Sequence, residues 1–211
     1  MCGSTMRILF IRHGESEANV EQIISNRDLP HKLTQTGVMQ ATILAETLAH
    51  TLTVEVIETS PILRARETAV ILQARLDVIP TVQPVLREFD CGAMEGRGDA
   101  EAWAAHQAIV QAWDTDHDYD KSIPPDGESF NDMQARFVPY IKNLIQQHKD
   151  HSADILLVSH GGLLLQMLPL VLTNVDRPFT QQNHINNCQL IITQLQDEQL
   201  ICTNWGDIQF T

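Results

Sequence analysis

Two short apolar runs that end in the same pair of residues constrain this chain more than any other feature. Ile8-Leu9-Phe10-Ile11 leads into Arg12-His13-Gly14-Glu15-Ser16, and Ile155-Leu156-Leu157-Val158 leads into Ser159-His160-Gly161-Gly162. Continuous apolar runs of this length, stopped by glycine, read as strands buried on both faces. Each delivers a histidine to its carboxyl end, the edge at which open α/β sheets bind their ligands. With Arg12 beside the first histidine, the two ends predict one pocket suited to a phosphate group.

The segments between them alternate in period. Glu15 to Val20 reads as a short helix, and Gln22 to Leu33 as a polar loop over the site. Ala41, Leu44, Ala45 and Leu48 line one helical face, with Thr36 as its expected cap. Val54 to Glu58 reads as a strand, and Ser60-Pro61 as the start of a helix with a core stripe of Ile62, Ala65, Ala69, Leu72 and Leu76. Residues 84–128 break the rhythm with glycines, prolines and an acidic stretch, and predict a lid insertion carrying a helix near Glu101 to Trp113. A long helix through Phe130, Met133, Phe137 and Ile141, bent near Pro139, then leads to the second His-Gly strand. A helix from Gly162, interrupted at Pro169, precedes a terminal hairpin near Gln189 to Leu195 and Leu200 to Thr203. Repeated strand–helix units predict an α/β fold with a mostly parallel sheet and helices on both faces. At 211 residues, one domain over 6–211 is expected, behind a disordered leader over residues 1–5.

Composition narrows the partners. A net charge of −13 argues against nucleic acid or an anionic membrane surface, and no long apolar run suggests a span. Four cysteines without paired spacing read as free thiols in a reducing cytoplasm. Only 14 lysines and arginines are present, so arginines near the His-Gly ends carry weight. A guanidinium fork can hold two phosphate oxygens at once, which favours Arg12 and Arg64 as clamps. A histidine among them can take the phosphoryl group or stabilise its oxygens, and His13 and His160 allow one of each. Glu67, one turn from Arg64, is expected either to orient or to neutralise it.

Five motifs then resemble one family. Arg12-His13-Gly14-Glu15-Ser16 with Asn19 is similar to the opening signature of the histidine phosphatase superfamily, in its phosphoglycerate mutase-like branch. Ser60-Pro61-Ile62-Leu63-Arg64-Ala65-Arg66-Glu67-Thr68-Ala69, Leu86 to Gly96, Pro125-Asp126-Gly127-Glu128-Ser129 and Val158 to Gly162 resemble its later segments, in the family's order. Asn187-Cys188, before the late strand, also fits.

The resemblance implies a three-layer α/β/α fold, phosphoglycerate mutase-like, and assigns roles. His13 would be the nucleophile, Arg12, Arg64 and His160 the phosphoryl clamps, with donors from Asn19 and Gly161. Glu88 would be the acid that protonates the leaving alcohol, with Asp90 next in line. Asn26 and Arg27 would form the substrate rim. Activity is expected to fall below about pH 5 to 6 as His13 protonates. No metal or other cofactor is implied, because arginines supply the charge. A small phosphorylated substrate is expected, while its identity and the oligomeric state stay open.

A phosphomonoester hydrolase is favoured over two alternatives, a phosphoglycerate mutase and a non-catalytic phosphate-ligand binding module. The loop reads Ile23-Ile24-Ser25-Asn26-Arg27-Asp28, and Ala18 stands where mutases carry tryptophan. Arg97 is the only arginine of residues 97–124, where a mutase carries a cluster to grip a carboxylate.

Overall fold

A computed structural model describes residues 6–149, 152 and 154–210. The expected leader over residues 1–5 lies outside them. Strands β1 (Arg7–Arg12), β2 (Val54–Thr59), β3 (Thr81–Val82), β4 (Asp154–Ser159), β5 (Leu190–Gln196), β6 (Gln199–Trp205) and β7 (Ile208–Gln209) form one sheet in the order β3-β2-β4-β1-β5-β6-β7. The first four strands in that order are parallel, and β5, β6 and β7 continue antiparallel. The two-residue strands β3 and β7 carry no readable period and were not expected from sequence.

Alternation along the two central strands builds the layers. Ile8, Phe10, Ile155 and Leu157 join the larger core under α5 (Phe130–His148) and α6 (Gly161–Met167). Leu9, Ile11, Leu156 and Val158 meet the stripe of α2 (Gln35–Thr51) and α3 (Leu63–Leu76), which contributes Ala45, Leu48, Ala65, Ala69 and Leu72. All eight strand residues are fully buried, each contributing roughly 1.5–3 kcal/mol. The sheet is thus covered on both faces, as the alternating pattern predicted.

β1 and β4 lie side by side with Arg12 opposite Ser159, so His13 and His160 leave adjacent strands at the same edge. At the other end, Arg7 holds both carboxylate oxygens of Asp154 at 2.6 and 2.7 Å, and Asp154 also accepts the Thr53 N–H.

Two local expectations are corrected. Thr34, not Thr36, caps α2, its hydroxyl accepting the Gly37 N–H at 3.0 Å. Gly37 is required there, because a Cβ would lie 2.0 Å from the Glu15 carbonyl oxygen. Helix α3 begins at Leu63 instead of Pro61, because Ile62 is extended and takes the capping position before it. Within the segment 84–128 the expected helix is α4 (Ala100–Gln111), and Ala102, Ile109 and Trp113, in and after it, sit in the larger core.

Candidate active site

The cavity at the carboxyl edge holds about 360 Å³, at the small end for ligand pockets. Arg12, His13, Asn19, Asn26, Arg64, Glu88 and Gly161 all line it. His160 is fully buried behind it, its ring centroid 5.1 Å from that of His13.

The end of β1 is tied down before His13 projects. The carbonyl oxygen of Arg12 accepts the Cys188 N–H at 3.0 Å, and that of His13 accepts from Asn187 Nδ2 at 3.0 Å. Thr68 accepts the Gly14 N–H. His13 Nδ1 lies 2.7 Å from the Gly14 carbonyl oxygen, and a carbonyl can only accept. Nδ1 therefore carries the proton and Nε2 the lone pair. That lone pair accepts from Arg64 Nε at 2.9 Å.

His160 is oriented by the same logic. Its Nδ1 faces Arg64 Nη2 at 3.3 Å, so its Nε2–H donates to Ser60 Oγ at 2.7 Å. Ser60 also accepts the Ile62 N–H at 3.2 Å, which fixes the hydroxyl between the strand end and α3. Ser60 was read from sequence only as a helix start; its contact with His160 has no local signal.

Burial dominates the electrostatics. It holds His13 and His160 well below the ordinary imidazole value, and the neighbouring Arg64 and Arg12 push both further down. Burial also lowers Arg64, to about 10, and it stays cationic at neutral pH. Arg12 gives one Nη1–H to the Ile185 carbonyl oxygen at 2.6 Å, while its buried Nε–H has no partner among the described residues. An unpaired guanidinium donor in a buried position suits an anionic ligand.

Glu88 is buried against the amino end of α6. Its carboxylate accepts the N–H groups of Gly162 at 2.8 Å and Leu163 at 2.6 Å. A Cβ on Gly162 would stand 2.9 Å from both carboxylate oxygens and 2.7 Å from the Phe89 ring, so glycine lets the carboxylate reach the backbone. Burial raises the Glu88 carboxyl above its usual range, against the backbone bonds and Arg64, which lower it.

The rim differs in part from expectation. Asn26 lines the cavity and donates Nδ2–H to the Phe89 carbonyl oxygen at 2.9 Å. Arg27 instead forms a two-pronged ion pair with Asp90 at 2.6 and 2.8 Å and does not line the cavity. Asp90, so engaged, is likewise absent from the lining. Glu67 neither orients nor neutralises Arg64, because its carboxylate accepts the Leu33 N–H at 2.7 Å. Arg97, the lone arginine of its segment, is taken up by Asp99 and Glu101. Trp103 and His106, three residues apart on α4, line the cavity and were not singled out from sequence. Their spacing on a predicted helix was the available signal.

The match to known proteins follows this geometry. The family model of the histidine phosphatase superfamily (branch 1) matches residues 8–208. The chain belongs to that superfamily. The resemblance drawn from the motifs therefore holds, and with it the expectation of an enzyme of the phosphatase kind. Adenosylcobalamin/alpha-ribazole phosphatase of Salmonella typhimurium is 32% identical over 168 residues, covering 80% of this chain and 80% of that protein. The 2,3-bisphosphoglycerate-dependent phosphoglycerate mutase of Bartonella henselae is also 32% identical, over 76% of this chain and 79% of that protein. Among solved structures, mycobacterial glucosyl-3-phosphoglycerate phosphatase in complex with VO3 superposes with a TM-score of 0.79 at 25% identity, covering 95% of this chain and 98% of that one. This superfamily member thus has both hydrolase and mutase relatives. Among the described residues, no group of three or more His, Cys, Asp or Glu side chains is arranged to hold a metal ion, and no helix is long and apolar enough to cross a membrane.

Proposed function

We propose that the protein is a phosphomonoester hydrolase that works through a phosphohistidine on His13 and acts on a small phosphorylated metabolite. The observation that carries this reading is the hydrogen bonding of one ring. Nδ1–H of His13 is spent on the Gly14 carbonyl, which leaves the Nε2 lone pair facing Arg64 within the cavity. When a phosphate ester enters, its oxygens compete for the Arg64 donors and for the free Arg12 Nε–H, and the lone pair is released for attack at phosphorus. A buried, neutral imidazole needs no base to attack.

The P–O bond to the alcohol then breaks, and Glu88 supplies the proton the alkoxide needs. Its raised pKa suits an acid held beside a dianion. Deprotonated Glu88 next takes a proton from water, which attacks the phosphohistidine and returns His13 and inorganic phosphate. Arg12 and Arg64 offset the charge on the transferring oxygens throughout, which is the basis for a metal-independent reaction. Binding of VO3 by a structural neighbour supports an oxyanion in such a cavity.

The mutase reading needs cations for a second anionic group. Among the described residues, Arg12 and Arg64 are the only Lys or Arg side chains in the lining, beside His13 and the Ile185 carbonyl. This favours transfer to water. The cysteines support a reducing, cytoplasmic setting: Cys91, Cys188 and Cys202 are free and buried.

The test is phosphate release from p-nitrophenyl phosphate and a panel of phosphate esters, with EDTA present and His13→Ala in parallel. Release by the parent and not by the variant is expected. Exchange of phosphate between 3-phosphoglycerate and 2,3-bisphosphoglycerate without net release would overturn the reading in favour of a mutase.

A further inference from the structure

Beyond the phosphoryl corner the cavity lining is largely aromatic and apolar, and among the described residues it holds no lysine or arginine other than Arg12 and Arg64. Phe89 and His106 stack with centroids 5.4 Å apart and planes 29° apart, and Trp103 meets His106 edge-on at 5.3 Å. Ile23, Leu165, Ile185 and the exposed ring of His184 also line the cavity. Trp103 is anchored: its indole N–H donates to the Gln22 carbonyl oxygen at 2.7 Å, which ties α4 to the loop over the site. His106 is a neutral ring here, since burial lowers its pKa from the ordinary imidazole value. Arg27 and Arg97 are both committed to carboxylates, and Arg87, two residues before Phe89, is not among the residues that line the cavity.

Resting on the hydrolase reading, we propose that this row of rings is the seat of the leaving group, and that the preferred substrates are monophosphates of uncharged alcohols carrying a planar ring. An aromatic or heteroaromatic ring gains stacking contact with Trp103 and His106 in addition to apolar burial. A carboxylate or second phosphate on the alcohol would meet no further lysine or arginine among the described lining residues and would lose its water with little compensation. The protein's overall negative charge of −13 disfavours such groups further.

Three esters with similar primary alkoxide leaving groups separate the possibilities: 2-phenylethyl phosphate, glycerol 3-phosphate and 3-phosphoglycerate. Their affinities for the His13→Ala protein, read by titration calorimetry, report on the wall without turnover. The parent's kcat/KM for the same esters reports on the reaction. The ring ester should bind about tenfold more tightly than glycerol 3-phosphate, with 3-phosphoglycerate weakest.

Trp103→Ala in the same background should remove most of that preference. Trp103→Phe, which keeps a ring and loses the indole tether, should retain it. Equal affinity for the ring and glycerol esters would overturn the proposal, as would preference for 3-phosphoglycerate. So would a preference for the ring ester that Trp103→Ala leaves intact. Absence of turnover with the ring preference present would instead defeat the hydrolase reading alone.

Discussion

Arg64 Nε donates to Nε2 of His13 at 2.9 Å, so the cation proposed to bind the phosphoryl group also holds the lone pair proposed to attack it. The two functions are exclusive at any instant: a phosphate oxygen that takes the Arg64 donor frees the histidine. Arg64 also gives Nη1–H to the Ser25 carbonyl, which keeps the guanidinium in place during the exchange.

Arg64→Lys tests that exchange. A lysine keeps the charge and loses the fork that spans His13, His160 and the Ser25 carbonyl. The expected result is a fall in kcat/KM of roughly 10²–10³, the usual effect of removing one preorganised donor. Inhibition by inorganic phosphate should weaken in the same variant. Steady-state kinetics with phosphate as competitor read both.

Gly162→Ala acts on Glu88 without changing it. The added methyl group would displace the carboxylate from the Gly162 and Leu163 N–H groups. Hydrolysis of alkyl esters, which need a proton on the leaving oxygen, should drop by about 10²-fold or more. p-Nitrophenyl phosphate should be much less affected in its first step. Glu88→Gln should show the same split, visible as a steeper dependence of rate on leaving-group pKa.

The pH profile follows from the two directions of shift. His13 is neutral down to well below pH 6.5, which moves the acid limb of kcat/KM below where a reference imidazole would put it. Glu88 stays protonated above its ordinary range, so the alkaline limb reports its ionisation. Glu88→Gln should abolish the alkaline limb and leave the acid limb in place. An alkaline limb unchanged in that variant would exclude Glu88 as the acid.

Stability depends on pH through the same histidine. Its folded pKa is depressed, so below pH 6.5 the unfolded chain takes up a proton that the folded one refuses. The contribution is fully present above pH 6.5 and is lost as pH falls toward the depressed value, at a rate approaching about 1.4 kcal/mol per pH unit. Glu88, with its raised pKa, acts in the opposite sense, so the parent must be compared with His13→Ala. Denaturant unfolding at pH 7 and pH 5.5 should show the variant losing less stability than the parent.

Much of this arrangement is legible along the chain because it is local. An apolar run ending in His-Gly specifies a buried strand and what it delivers, and β1 and β4 answer that pattern residue by residue. The errors arise where a polar side chain chooses a distant partner. Arg27 reaches Asp90, Glu67 reaches the Leu33 N–H, and Ser60 reaches His160, none of which any local period encodes. Trp103 and His106 fall between the two cases: their spacing puts them on one helical face, and only the tertiary fold shows that the face lines the cavity.

The central claim is that the phosphoryl group passes through His13, and rapid acid-free quenching during turnover of a ³²P-labelled ester tests it most directly. The account predicts a protein-bound label that is stable in alkali, lost in acid, and absent from His13→Ala. Label retained in His13→Ala, or phosphate release by that variant at the parent's rate, would contradict it.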